Sequence, residues 1–252
     1  SGANFKASCP FHNEKTASLM ISPQKQIWHC FGCGEGGDIF GFVMRYENLE
    51  FREALQQLAQ RAGVTLPTYS PQAGQDKKVS EDLVRISNFA SKFYHKQLMA
   101  NSGASAAALK YLQDRGLNEK TIENWEIGYA PDSFDALIKA LQAKQVTSVN
   151  ALLGGVVAKN DKGNIFDRFR HRITFPIHNY FGDVVGFSAR VMPGGDESSA
   201  KYINSPETPI YNKSKILFGL YQAKAAIRKA DEAVVVEGQM DTISAHQAGF
   251  SN

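Results

Sequence analysis

Cys9-Pro10-Phe11-His12 and, after a 17-residue interval, Cys30-Phe31-Gly32-Cys33 are the two stretches on which the reading of this chain turns. Two ligand residues separated by two others can both reach one ion. Three thiolates and one imidazole make the closed four-coordinate shell of structural zinc. All three cysteines of the 252-residue chain fall in its first 33 positions, and an odd number of them argues against a disulfide framework. His29, beside Cys30, offers a competing imidazole, but His12 has the knuckle spacing. Four protein ligands leave no open position, so this zinc is not expected to activate water.

Gly32-Cys33-Gly34-Glu35-Gly36-Gly37 also satisfies the dinucleotide-binding pattern G-x-G-x-x-G. Cys33 is taken by the metal, the strands before it are joined as a hairpin and no βαβ unit surrounds it, so the glycines read as a turn around the ion. The flanking pattern supports this. Residues 18–22 and 26–29 look like strands around the Pro23-Gln24-Lys25 turn, Asp38 is a candidate N-cap for a helix from Ile39, and Phe51, Ala54, Leu55, Leu58, Ala59 and Ala62 mark one helical face that stops at Gly63. Trp28, Phe31 and Phe11 admit two roles, core of a small ribbon or stacking platform for single-stranded bases, with Trp28 or Phe31 the better placed for stacking.

Residues 67–80 lose the periodicity and collect Pro, Gly, Ser, Gln and Lys, which is linker chemistry and places a domain boundary there. From 81 to about 144 the patterns are helical. After Asn150 they change to strands at 156–158, 172–177 and 184–189, then a helix at about 217–229. Ala233-Val234-Val235-Val236 suits a strand buried on both faces, and a helix follows from about Asp241. The sequence supplies no further strand beyond this unit, which implies a piece of a longer protein.

The net charge of +3 is too small to name a partner, but its distribution is uneven: residues 1–66 hold six basic and six acidic side chains, residues 159–229 twelve basic against six acidic. Within that half, an extended run from Phe166 to Ile177 would project Arg168, Arg170 and Arg172 to one face and Phe169, His171 and Ile173 to the other, setting guanidinium groups at phosphate-backbone spacing. A solvated strand face gives the same alternation. Glu237, with Gly238 and Asp241, falls at the C-terminal end of the expected buried strand, where open α/β sheets carry ligands and where carboxylates suit Mg²⁺. A helix-terminal charge would account for it equally. No run of 18 apolar residues and no signal-peptide core occur, so a cytoplasmic protein without a membrane partner is expected.

Taken together, these stretches resemble bacterial DnaG-type DNA primases. Cys9-Pro10-Phe11-His12-Asn13-Glu14-Lys15-Thr16 with residues 29–38 is similar to the primase zinc-binding domain. Residues 168–177, Gly186-Phe187-Ser188-Ala189-Arg190 and residues 201–208 are similar to the basic N-terminal half of its RNA polymerase core. Val236-Glu237-Gly238-Gln239-Met240-Asp241 resembles the opening of a Toprim fold. The resemblance implies an α+β protein: a zinc-ribbon domain with flanking helices at 1–66, a linker at 67–80, the N-terminal subdomain of the polymerase core at 81–230, and the incomplete start of a Toprim fold at 231–252.

It further implies a nucleotidyltransferase that makes short RNA primers on a single-stranded DNA template from ribonucleoside triphosphates, at the bacterial replication fork. Cys9, His12, Cys30 and Cys33 would hold zinc, and Glu237, as catalytic carboxylate, would hold Mg²⁺ or Mn²⁺ with Asp241. Arg115, Arg168, Arg170, Arg190, Lys201 and Lys213 would lie near template and incoming nucleotide. A replicative helicase, through a C-terminal domain absent here, and a second primase molecule acting in trans are the implied protein partners. The family's further acidic residues are not in these 252 positions, so the chain is expected to bind zinc and, weakly, single-stranded DNA, without making primers alone. Residues 191–200 look longer than the family usually has. The competing reading is a non-catalytic zinc-ribbon protein that binds single-stranded DNA or mediates recombination; a topoisomerase or a phage primase-helicase lacks support, since the Arg168 stretch does not suit the first and no P-loop is present for the second.

Overall fold

A computed structural model describes residues 4–66, 71–193 and 200–252. The chain divides into two compact units, Ser1–Pro71 and Gln72–Asn252. Among the described residues no helix is long and apolar enough to cross a membrane.

In the first unit, strands β1 (Phe5–Ala7), β2 (Leu19–Ser22), β3 (Ile27–Cys30) and β4 (Gly36–Gly37) form one antiparallel sheet in chain order. The β2–β3 register sets Leu19 opposite Cys30 and Ile21 opposite Trp28. Helix α1 (Ile39–Glu47) begins where Asp38 accepts the Gly41 N–H at 2.8 Å, and α2 (Phe51–Ala62) begins with a capping box between Glu50 and Glu53 and ends at Gly63 in the left-handed region (φ 65°). The core is small: Cys9, Leu19, Trp28 and Cys30 are buried, with Phe11, Ile21 and Phe42 around them. Two of its four buried members carry thiols, so this unit relies on its metal site as smaller domains commonly do.

The second unit opens with α3 (Pro71–Met99), followed by α4 (Ala104–Asp114), α5 (Glu119–Asn124), β5 (Gly128–Ala130), α6 (Ala136–Gln142), α7 (Ser148–Leu153), the hairpin β6 (Val157–Lys159) and β7 (Ile165–Asp167), then β8 (Arg172–His178), β9 (Val184–Val191), β10 (Tyr202–Asn204), a 3₁₀ turn (Lys213–Lys215), α8 (Leu220–Ala230) and α9 (Gln239–Gln247). The main sheet is antiparallel in the order β10-β9-β8-β5. Successive strand residues alternate between faces. One face, with Ala130, Phe187 and Ala189, packs on Leu83, Ile86, Ala90 and Tyr94 of α3. The other, with Tyr129, Ile173 and Phe175, packs on Leu98, Leu112, Ile122 and Trp125. Gly128 lets α3 approach the sheet, since a Cβ there would stand 2.5 Å from Tyr94 Cβ. Asp167 of β7, buried, accepts the Leu137 and Ile138 N–H groups at 2.7 and 3.0 Å and so caps α6 from outside its own segment.

Three expectations need correction. Residues 71–80 are not a loop but the first turns of α3: the face that buries Leu83 and Ile86 nucleates the helix, and propagation through Gln, Asp and Lys costs little once it is anchored. Residues 67–70, and with 194–199 most of the long segment 191–200, lie outside the described residues. Residues 168–171 are not strand: His171 adopts φ 50° and turns the chain before β8, so the arginines do not form an alternating row. Finally, residues 233–236 form no strand; Val235 is 78% exposed, because among the described residues no strand pairs with the segment, whose backbone bond runs from Val234 N–H to Asn252 O, 3.2 Å.

Candidate metal centre and nucleic-acid interface

The ligand atoms of Cys9, His12, Cys30 and Cys33 all lie within 4.8 Å of one another. Cys9 Sγ is 3.9 Å from Cys33 Sγ, and Cys30 Sγ is 3.8 Å from His12 Nδ1. A tetrahedral zinc–thiolate shell with bonds of about 2.3 Å has edges of about 3.8 Å, so the donor set fits zinc in number, chemistry and spacing. Both knuckles are built by backbone: Cys30 N–H donates to Glu35 O at 2.7 Å and Gly34 N–H to Cys30 O at 3.0 Å. Cys9 Sγ accepts Phe11 N–H at 3.4 Å, and Cys30 Sγ accepts Gly32 N–H at 3.4 Å and Cys33 N–H at 3.5 Å. Burial pushes the Cys9 thiol up to about 11. Burial acts the same way on Cys30, but a side-chain hydrogen bond with Ser18 Oγ and hydrogen bonds from the Cys33 and Gly32 N–H groups outweigh it and hold this thiol at about 6. His29 stays outside the cluster, edge-on to Phe31.

Of the two aromatics offered for base stacking, the structure removes one. Trp28 is 6% exposed, packs on Phe11 and Phe42, and donates its indole N–H to Asp38 O at 2.9 Å. It is core. Phe31, 75% exposed at the metal knuckle, is open to solvent.

The basic residues divide. Arg190 on β9 faces Tyr202 on β10 in register; its guanidinium lies 5.0 Å over the Tyr111 ring and 5.5 Å from the Tyr202 ring, with Nη1 donating to Tyr202 Oη at 3.1 Å. Arg115, at the end of α4, stands 5.5 Å from the same Tyr111 ring, and the exposed Lys201 precedes Tyr202. Arg115 and Arg190 thus share the Tyr111 ring. Neither arginine has an ion-pair partner among the described residues. Tyr111 and Tyr202 were not signalled by the sequence; a Tyr four residues before Arg115 on a helix was the available hint.

Arg168 is half-buried and donates through Nε and Nη2 to Asn204 O at 3.3 and 3.0 Å. Arg170 donates to Asp167 O at 3.0 Å and lies 4.5 Å over the Phe134 ring and 5.1 Å over Phe166. Arg172 is a correction to the alternating row: it is 7% exposed and donates to Ala189 O and Ala200 O, holding the sheet together. The turn that splits the row is fixed by His171, whose N–H donates to Pro131 O at 3.2 Å and whose Nδ1 is 2.9 Å from Tyr129 Oη. Lys213 is exposed on the 3₁₀ turn, away from this group in the chain.

Glu237 and Asp241 are exposed at the start of α9, which docks through buried Ile243 and through Gln247 to Asn118 N–H and Gly116 O. Among the described residues no third carboxylate joins them; the Cys/His cluster is the group of three or more ligands found.

A Cys₃His ribbon and an antiparallel sheet packed between helices define a zinc-ribbon protein with an α+β core. Comparisons narrow the class. Residues 1–73 match the CHC2 zinc finger family, and residues 93–224 match the DNA primase catalytic core, N-terminal domain. A DNA primase of Halalkalibacterium halodurans is 43% identical over 252 residues, covering 100% of this chain and 41% of that protein. The Aquifex aeolicus primase structure, comprising zinc-binding and RNA polymerase domains, superposes with TM-score 0.61 at 36% identity over 100% of this chain and 59% of that one. The RNA polymerase domain of Mycobacterium tuberculosis primase DnaG, solved with a double-stranded DNA oligomer bearing a 6-nucleotide overhang, gives TM-score 0.64 at 36% identity over 68% of this chain and 52% of that one. The chain belongs to the DnaG-type DNA primase family. It spans about two fifths of the length of the curated relatives it matches.

Proposed function

We propose that this chain is the zinc-binding and template-holding part of a primase that synthesises short RNA primers on single-stranded DNA from ribonucleoside triphosphates. The observation that carries the reading is the Tyr111–Arg190–Tyr202 stack with Arg115 on the same ring. Guanidinium groups held by aromatic faces, rather than by carboxylates, keep their charge for phosphate oxygens. Arg115 and Arg190, on the Tyr111 ring, and Lys201 would take template phosphates; Arg168 and Arg170, anchored by carbonyl oxygens, would extend the track, and Lys213 would meet an incoming nucleotide. Phe31 would stack on a template base from the zinc unit.

Zinc holds the ribbon in shape, and the ribbon's residues, not the ion, meet the template. Glu237 and Asp241 would be carboxylates for Mg²⁺ or Mn²⁺. Among the described residues no third carboxylate joins them, and phosphates of a bound nucleotide would complete the shell of an ion held there. The protein's part in the chemistry is positioning: a strand held by its phosphates presents its bases for pairing. Engagement of a replicative helicase and of a second primase molecule belongs to the same reading.

The test is primer synthesis by the full-length parent protein on single-stranded DNA with ribonucleotides and Mg²⁺, wild type against Glu237→Gln. Short RNA from the wild type that vanishes in the variant supports the reading. No RNA from either, with zinc and DNA binding intact, favours a non-catalytic DNA-binding module.

A further inference from the structure

We propose that Glu14 is the positioning carboxylate of the zinc site, selecting the ring nitrogen by which His12 binds the metal. The inference rests on the zinc reading of the four-ligand cluster. His12 presents Nδ1 to Cys30 Sγ and turns Nε2 outward, where it meets Glu14 Oε2 at 3.2 Å. An imidazole that ligates through Nδ1 must carry its proton on Nε2, and a carboxylate beside Nε2 enforces that tautomer and orients the ring. Glu14 is itself held: Oε1 accepts Cys9 N–H at 2.7 Å and Ser18 N–H at 3.0 Å, and Oε2 accepts the Ser18 hydroxyl. Its side chain is 9% exposed.

The same carboxylate therefore touches the chain at three points that define the shell. It fixes the backbone of ligand Cys9, it orients ligand His12, and through Ser18, whose Oγ lies 3.1 Å from Cys30 Sγ, it reaches a third ligand. Gly32 makes room for this arrangement, because a Cβ there would fall 2.5 Å from His12 Nε2 and 2.8 Å from Ser18 Oγ.

Glu14→Gln isolates the effect. Its amide oxygen retains the two backbone bonds, while its NH₂ replaces Oε2 and opposes both the Nε2 proton and the Ser18 hydroxyl. Zinc release from the protein to a chromogenic chelator is expected to accelerate about 10–100-fold. In a His12→Cys background, where no imidazole needs orienting, Glu14→Gln should change the rate less than twofold. An unchanged rate in the single variant overturns the proposal, and so does an equal acceleration in both backgrounds, which would place the effect in Cys9 or Ser18. Long-range imidazole ¹H–¹⁵N spectra of the unmodified zinc-loaded protein give a test independent of folding of the variants: Nδ1 metallated and Nε2 protonated is expected, and the reverse tautomer overturns it. Metal analysis of the wild type separates the premise, since absence of one zinc per chain removes the zinc reading itself.

Discussion

Arg190 and Tyr202 lie directly opposite one another on β9 and β10, joined by a 3.1 Å hydrogen bond from Nη1 to Oη, and Tyr111 closes the other side of the guanidinium. Strand register thus makes an aromatic clamp for a cation at the sheet edge. Arg190→Ala should weaken single-stranded DNA binding and lower the steepness of log K against log salt by about 0.7, the value for one phosphate contact on a single strand. Tyr202→Phe, which keeps the ring, should leave that slope unchanged. Fluorescence anisotropy over a salt series checks both.

The two exposed and buried aromatics of the zinc unit should behave oppositely. Phe31→Ala should cost about 1–3 kcal/mol of single-strand affinity, as loss of one base–aromatic stack does, and leave stability alone. Trp28→Ala should destabilise the zinc unit by about 3–5 kcal/mol through its buried contacts. Anisotropy and thermal melts of each variant separate the two roles.

Zinc removal should unfold the first unit only. Trp28 lies in the metal-bound core and Trp125 in the second unit's core. Chelation of the Trp125→Phe protein should shift its remaining tryptophan emission to the red, and chelation of Trp28→Phe should not.

Asp167 gives the second unit a pH signature. Burial raises its carboxyl pKa against the lowering hydrogen bonds from Leu137 and Ile138. A carboxyl whose folded pKa is raised binds its proton more tightly when folded, so its contribution to stability is greatest below the unfolded value of about 3.9 and is lost as pH rises through the folded value. Asp167→Asn should remove, in urea titrations, the loss of stability that sets in as pH rises above the unfolded value of about 3.9.

Gly128→Ala should destabilise the second unit by about 1–3 kcal/mol, the usual cost of overpacking, because the new methyl meets Tyr94 Cβ and backbone. Urea unfolding followed by Trp125 fluorescence measures it.

The zinc ligands were legible at once because ligand chemistry is local: C-x₂-H and C-x₂-C state both the ligands and the turns. Helix α2 was equally plain, since its period and its terminal Gly63 agree. The basic stretch was only half legible. Alternation from Arg168 to Ile177 looks like one strand until His171 takes a positive φ, and nothing in a β-compatible run announces that turn. Residues 71–80 misled in the opposite sense, because linker composition is also tolerable helix composition.

The sequence by itself determined the zinc ribbon, the family and the identities of the cations, all of them properties of residue type and short spacing. Tertiary structure alone decided which cations remain outside. Pairing β9 with β10 sets Arg190 between two tyrosines, whereas Arg172, eighteen residues earlier and chemically identical, is drawn between strands to satisfy carbonyl oxygens. It likewise decided that Trp28 is core and Phe31 is surface, and that Glu14 meets His12. Such outcomes depend on contacts between distant segments, which side-chain chemistry permits but only packing selects.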